Sequence, residues 1–222
     1  MRRWLPQAWL ASLFMLVTLT GCQSTYYDAM NYVGVDKRDI LLDRAAAARE
    51  AQQEASEKLA STLALFHDVV EGPADQRAAK FSQLQTAYQN AQRAADRLAQ
   101  RNSALQDVSE ALFDEWDRTL ALEQNEDRRF QRAEALERSH VLYGAMSDAV
   151  EEAQRDLDPL LLGIRNDLLA MRDDINDRDI ASYASEVKRL DMEINQQRQR
   201  MQTAIERSEA FTSTLPPASD AP

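Results

Sequence analysis

Side chains able to carry chemistry are few in this chain, and they are scattered. His67 and His140 are the only two histidines. They fall in different helical segments with no His or Cys neighbour at ligand spacing, so no metal site is expected from them. Asp173, Asp174, Asp177 and Asp179 crowd one short stretch. A calcium loop needs Gly at its sixth position and Glu at its twelfth. Counted from Asp173, Asp174 or Asp177, the twelfth residue is Ala184, Ser185 or Lys188, so the stretch reads as an acidic turn. There is no Gly-rich phosphate loop, no G-x-S-x-G and no H-E-x-x-H. Carboxylate pairs are common in a chain with 37 Asp+Glu. On the outer face of a helix, however, nothing shifts their pKa toward catalytic use. The expectation is a protein that is not an enzyme and uses no cofactor. Two local clusters are candidates for partner contact. Lys37 and Arg38, with Asp39, Asp43 and Arg44, can form a surface charge lattice at helical spacing. Phe113 and Trp116 lie three apart on one helix face; they either fill a core or form an exposed aromatic anchor for a partner.

The one residue with a covalent role is Cys22, the single cysteine of the chain. It closes a segment with Arg2 and Arg3 at its start, a mostly apolar run from Trp4 to Thr20, and small residues at its end, the marks of a secretory leader. Pro6 and Gln7 interrupt the run, which is short against the ~20 apolar residues that cross a bilayer. Leu19-Thr20-Gly21-Cys22 resembles the bacterial lipobox. That resemblance implies cleavage after Gly21, residues 1–21 being the leader, and a diacylglycerol plus an amide-linked acyl chain such as palmitate on Cys22. Several acyl chains anchor a protein stably where one does not. Gln23 stands where inner-membrane retention usually has Asp, so the expected destination is the outer membrane of a Gram-negative cell, facing the periplasm. The inner membrane is the lesser alternative. Residues 22–36 would form a juxtamembrane segment in which Tyr26, Tyr27 and Tyr32 meet either headgroups or the bundle.

What remains must be helical. Ala, Leu, Glu, Lys and Arg make up 46% of the 222 residues, the composition of long helices and coiled coils. Five glycines cannot supply the turns of a sandwich or barrel. A net charge of −11 makes nucleic-acid binding improbable. Four main helices follow from the 3-4 apolar rhythm. The first is expected from Lys37 to Val70, with a thin seam of Leu41, Ala45, Ala48, Ala55, Leu59, Thr62, Phe66 and Val69. Gly72-Pro73 should end it, and a second helix should run from Ala74 to Glu123, with Asn102 a lone polar residue in its seam. Asn102 either fixes register or is a solvated defect. A third follows the break at residues 124–127, kinked at Pro159. A fourth runs from Asp179 to Thr214. The fold class is therefore all-α: an elongated antiparallel bundle over residues 37–214, followed by a disordered tail at residues 215–222. The second and third helices are the longest, so their hairpin should project ~20–25 Å beyond the bundle.

Several segments together resemble the domain of unknown function 2959 family of helical Gram-negative proteins. They are Tyr26-Tyr27 followed by Gly34, Lys37-Arg38-Asp39-Ile40-Leu41, Ala111 to Trp116, Asp158-Pro159 and Ile180-Ala181-Ser182. The resemblance covers about Tyr26 to Phe211 and implies a helical fold, without an activity or site residues. The expected function is a lipid-anchored scaffold, spacer or interaction adaptor of the envelope. It would be held to the membrane through Cys22, with a protein partner or a second copy meeting the helical hairpin. The alternative is a carrier of lipid or another small molecule, in an open apolar groove lined by Leu59, Leu63, Phe66, Leu84 and Tyr88.

Overall fold

The computed structural model describes residues 36–174 and 178–216. Cys22, Tyr26, Tyr27, Tyr32, Gly34, Ile175 and Asp177 lie outside them. Of the described residues 92% are helical and none is in a strand. The elements are α1 (Lys37–Glu71), α2 (Arg77–Leu122), α3 (Glu126–Arg155), α4 (Leu157–Asp174), a 3-10 segment (Arg178–Tyr183) and α5 (Ala184–Ser213). Asp36 caps α1 by accepting from the Arg38 N–H at 2.8 Å, and Asn125 caps α3 by accepting from the Arg128 N–H at 3.0 Å.

The expected boundaries move in four places, one of them at the fourth helix, where Arg178–Tyr183 form the 3-10 segment and α5 starts at Ala184 and not at Asp179. Helix α2 starts at Arg77 because Pro73 opens a turn instead, accepting from the Gln76 N–H at 3.1 Å. The third helix is interrupted for one residue at Asp156, and Pro159 falls in the first turn of α4. A missing N–H costs least in a first turn, so the irregularity sits three residues before the proline. Leu215, expected in the tail, is 6% exposed. It lies one turn beyond Phe211, where its side chain closes the end of the core.

Helix α1 packs along both α2 and α5, α5 also packs on α3, and α2 touches α3 and α4. Neighbours are antiparallel, as short connections require. The expected seam of α1 is buried throughout; along α2, Phe81, Leu84, Leu98, Leu105, Val108 and Leu112 are buried at the same 3-4 spacing as Asn102. In α5, Ala184 is exposed and Ile205 half-buried, while Gln197, Ala204 and Ser208 are buried in the stretch between Ile194 and Phe211. Two apolar clusters fill the bundle. One, around Phe66, Leu84, Leu98, Ile164 and Met201, lies toward the α1–α2 turn. The other, around Leu41, Val108, Trp116, Leu136 and Phe211, lies at the start of α1. Gln52 and Asn102, at 1% and 7% exposure, sit where the two clusters meet.

Candidate functional site

The end of the bundle where α1 begins holds most of the sequence-selected residues. Lys37, at 5% exposure, is inside the bundle, and its ammonium bonds the Glu115 carboxylate on α2. A buried ammonium must be paired. Lys37 is therefore a clamp that sets the level of α1 on α2, and not part of a surface charge lattice. Arg38 lies 3.4 Å from Asp39, with its Nε buried and without a hydrogen-bond partner.

Phe113 and Trp116, at 5% and 3% exposure, are core residues. The rings meet edge to face with centroids 5.7 Å apart, a favoured aromatic geometry. Phe113 also stacks on His140 at 4.1 Å and approaches Tyr143 at 5.2 Å and Phe211 at 6.3 Å. The reading of this pair as an exposed anchor is corrected: α1 and α5 both reach this level and cover it with Leu41, Phe211 and Leu215. Burial pushes the Tyr143 hydroxyl above its ordinary pKa; the Glu110 carboxylate adds to the rise.

Lys37 pairs with Glu115, and α2 ends at Leu122. Seven residues at ~1.5 Å each put the hairpin only ~10 Å beyond the start of α1, less than its length suggested. Exposed apolar side chains do occur here, at Leu122 and at Phe130. Leu122 at 80% and Phe130 at 70% are the most exposed large apolar side chains among the described residues. Beside them, Glu123 accepts from Arg128 at 3.1 Å and from the Asn125 N–H at 2.9 Å, and lies 3.3 Å from Arg132. The Arg128 bond, more than any other contact, holds its carboxyl below the ordinary range.

The groove expected for a carried ligand is filled. Leu59, Phe66 and Leu84 are at most 1% exposed and Tyr88 8%, because they interlock in the larger core cluster. Open clefts occur instead on the outer surface. One of about 480 Å³, between α2 and α4, is lined by Tyr88, Gln92, Arg93, Asp96, Leu162 and Arg165. Burial raises the Tyr88 hydroxyl pKa against the opposing pull of Arg165. Farther along α4, Asp167 bonds Arg189 at 2.6 Å. Desolvation still carries its carboxyl above the ordinary value, against the pull of that guanidinium.

His67 lies 3.2 Å from Glu71 and His140 lies against Phe113, so the two do not converge. Among the described residues no three His, Cys, Asp or Glu side chains are grouped to hold a metal ion. No helix of the described residues is long and apolar enough to cross a membrane. Asn102, ambiguous in sequence, is buried and donates to Gln154 of α3 at 3.3 Å, with its own carbonyl unpaired. Gln197 was missed because amides at seam positions give no apolar signal; it donates to the Ala153 carbonyl of α3 at 2.5 Å.

A family model described as a protein of unknown function (DUF2959) matches residues 26–215. No curated protein and no solved structure matches the chain.

Proposed function

The chain belongs to the DUF2959 family, and from that premise we propose that it is a lipid-anchored, non-enzymatic spacer or adaptor of the Gram-negative envelope. Cys22 would carry the lipid in the outer membrane, and residues 37–216 would stand in the periplasm. The observation that carries this reading is the closed seam. Among the described residues, four antiparallel helical columns bury their apolar side chains against one another, and the cleft between α2 and α4 is open and of mixed character. A carrier needs an enclosed, mostly apolar pocket of some 300–1,000 Å³, and an enzyme needs titratable groups converging in a cleft. A rod ~70 Å long, the length of α2, is instead suited to holding two things apart or presenting a surface at a distance from the membrane.

Two measurements test it. Intact-mass analysis should find a mature chain starting at Cys22 with acyl mass added, and Cys22→Ser should release the protein from membranes. A chain still carrying its leader would end the anchored reading. Crosslinking in intact cells should capture a discrete envelope partner at the outer face of the rod. Purification with a stoichiometric co-isolated lipid, apart from the acyl groups on Cys22, would favour the carrier.

A further inference from the structure

The bundle has a direction that the anchor makes meaningful. Lys37 on Glu115, and Phe211 beside Phe113, place the start of α1 and the end of α5 at the same level of α2. The α2–α3 turn continues past that level. The chain entering from Cys22 and the hairpin tip are therefore at one end of the rod, while the α1–α2 turn at Gly72 is at the other.

We propose that the tip of the α2–α3 hairpin is a second membrane contact, resting on the bilayer that holds the lipid on Cys22. The proposal rests on the anchored reading and adds a lipid-binding surface to it. Leu122 and Phe130 are exposed at this tip, and α1 and α5 stop short of it, so no described helix covers them. The charge changes sign here. Residues 118–132 carry Arg118, Arg128, Arg129 and Arg132 against Glu123, Glu126 and Asp127, a net +1 in a chain of −11. Anionic lipid therefore repels this turn less than the adjoining residues 103–117, which carry Asp107, Glu110, Asp114, Glu115 and Asp117 and no basic residue. Arginine also lets its stem lie along apolar surface while its head stays at phosphate level, as interfacial segments require.

The turn is built before any contact is made. The Asn125 cap and the Glu123 bonds to Arg128 fix the two helix ends, so presenting Leu122 and Phe130 needs no ordering on binding. A second copy is the poorer occupant, because two apolar side chains fall far short of the ~800 Å² per partner of a stable interface. Reach is not limiting. The 15 residues from Cys22 to Asp36 span at most ~50 Å extended, several times the ~10 Å by which the tip leads the bundle. A tether that short also keeps the tip at millimolar effective concentration near the surface.

The test replaces the native anchor, so that it does not depend on lipidation. Residues 22–222, which retain every described helix, carry Cys22→Ser and an N-terminal hexahistidine tag, and are tethered to vesicles of phosphatidylethanolamine, phosphatidylglycerol and nickel-chelating lipid. A single cysteine is introduced as Leu122→Cys, Phe130→Cys or, as a control remote from the tip and level with Gln92 near the middle of α2, Leu162→Cys. Each is labelled with an environment-sensitive fluorophore, and an unchanged melting temperature establishes that the variant folds. The expected result is a blue shift at positions 122 and 130 and at least twofold stronger quenching by spin-labelled lipid than at 162. Equal quenching at all three positions overturns the proposal. So does a blue shift at 122 that grows with protein concentration in the absence of vesicles, which would mean that a second copy covers the tip. Failure of the anchored reading is seen separately, in the intact mass of the native protein.

Discussion

Truncating Trp116 measures whether the aromatic end of the bundle is core. The indole is 3% exposed, meets Phe113 edge to face, and lies in the cluster formed by α1, α2, α3 and α5. Buried Trp→Ala changes cost about 3–5 kcal/mol, combining lost transfer energy with the cavity left behind. The edge-to-face pair, worth ~0.5–1.5 kcal/mol beyond area, argues for the upper half of that range. For a chain of this size each kcal/mol moves the melting temperature ~2–4 °C, so the expected drop is about 8–20 °C. Circular dichroism melts and urea titrations give the value. Leu122→Ala, at 80% exposure, is the control and should stay within ~0.5 kcal/mol. Trp116 is the only tryptophan after Cys22, so its emission reads its own environment and should be at short wavelength until unfolding. A loss under ~1 kcal/mol for Trp116→Ala, or emission typical of exposed indole, would refute the packing argument.

Three further outcomes are expected. Gly144→Ala should stabilise by ~0.5–1 kcal/mol, since the added methyl meets nothing within 4 Å inside a helix, whereas Gly72→Ala should destabilise because its Cβ would fall 2.2 Å from the Asp68 carbonyl; paired thermal melts decide it. Asn102→Leu should raise stability by about 1 kcal/mol in urea titrations, because it removes a buried carbonyl that has no hydrogen-bond partner, while weakening the discrimination of register between α2 and α3 that disulfide trapping reports. The hairpin turn should loosen in acid. The Glu123 carboxyl is held below its ordinary value of 4.5, so its contribution is complete above that value and is lost as pH falls through the lowered one; a fluorophore at position 122 should show the transition, and Glu123→Gln should abolish it.

The helices were legible because burial on a bundle needs only a 3-4 rhythm, which the seams of α1 and α2 keep through their alanines and across Gln52 and Asn102. Amides carry no apolar signal. Gln197 gave none, although it is buried and donates to the Ala153 carbonyl of α3, and Asn102 could be placed in the seam but not paired with Gln154. The break at Asp156 was displaced for a related reason. Proline is visible in sequence, but the tolerance of a helix start for it depends on where the preceding turn ends.

Exposure at the hairpin was harder to read, because it depends on how far the shorter helices reach. Comparing helix lengths overestimates the overhang when the loops at the opposite end are ignored. Residues 72–76 form the first turn, and the Lys37–Glu115 pair then sets the level of α1, leaving seven residues of α2 beyond it. That difference decides the fate of the aromatics: Trp116 falls just inside the covered length, and Leu122 and Phe130 just outside it. Direction, by contrast, follows from topology alone. In an up-down-up-down bundle the second loop must lie at the end where the chain enters. The start of α1 and the α2–α3 tip are therefore at the same end, so that a lipid on Cys22, as proposed above, would bring the surface chemistry of that tip to the membrane first.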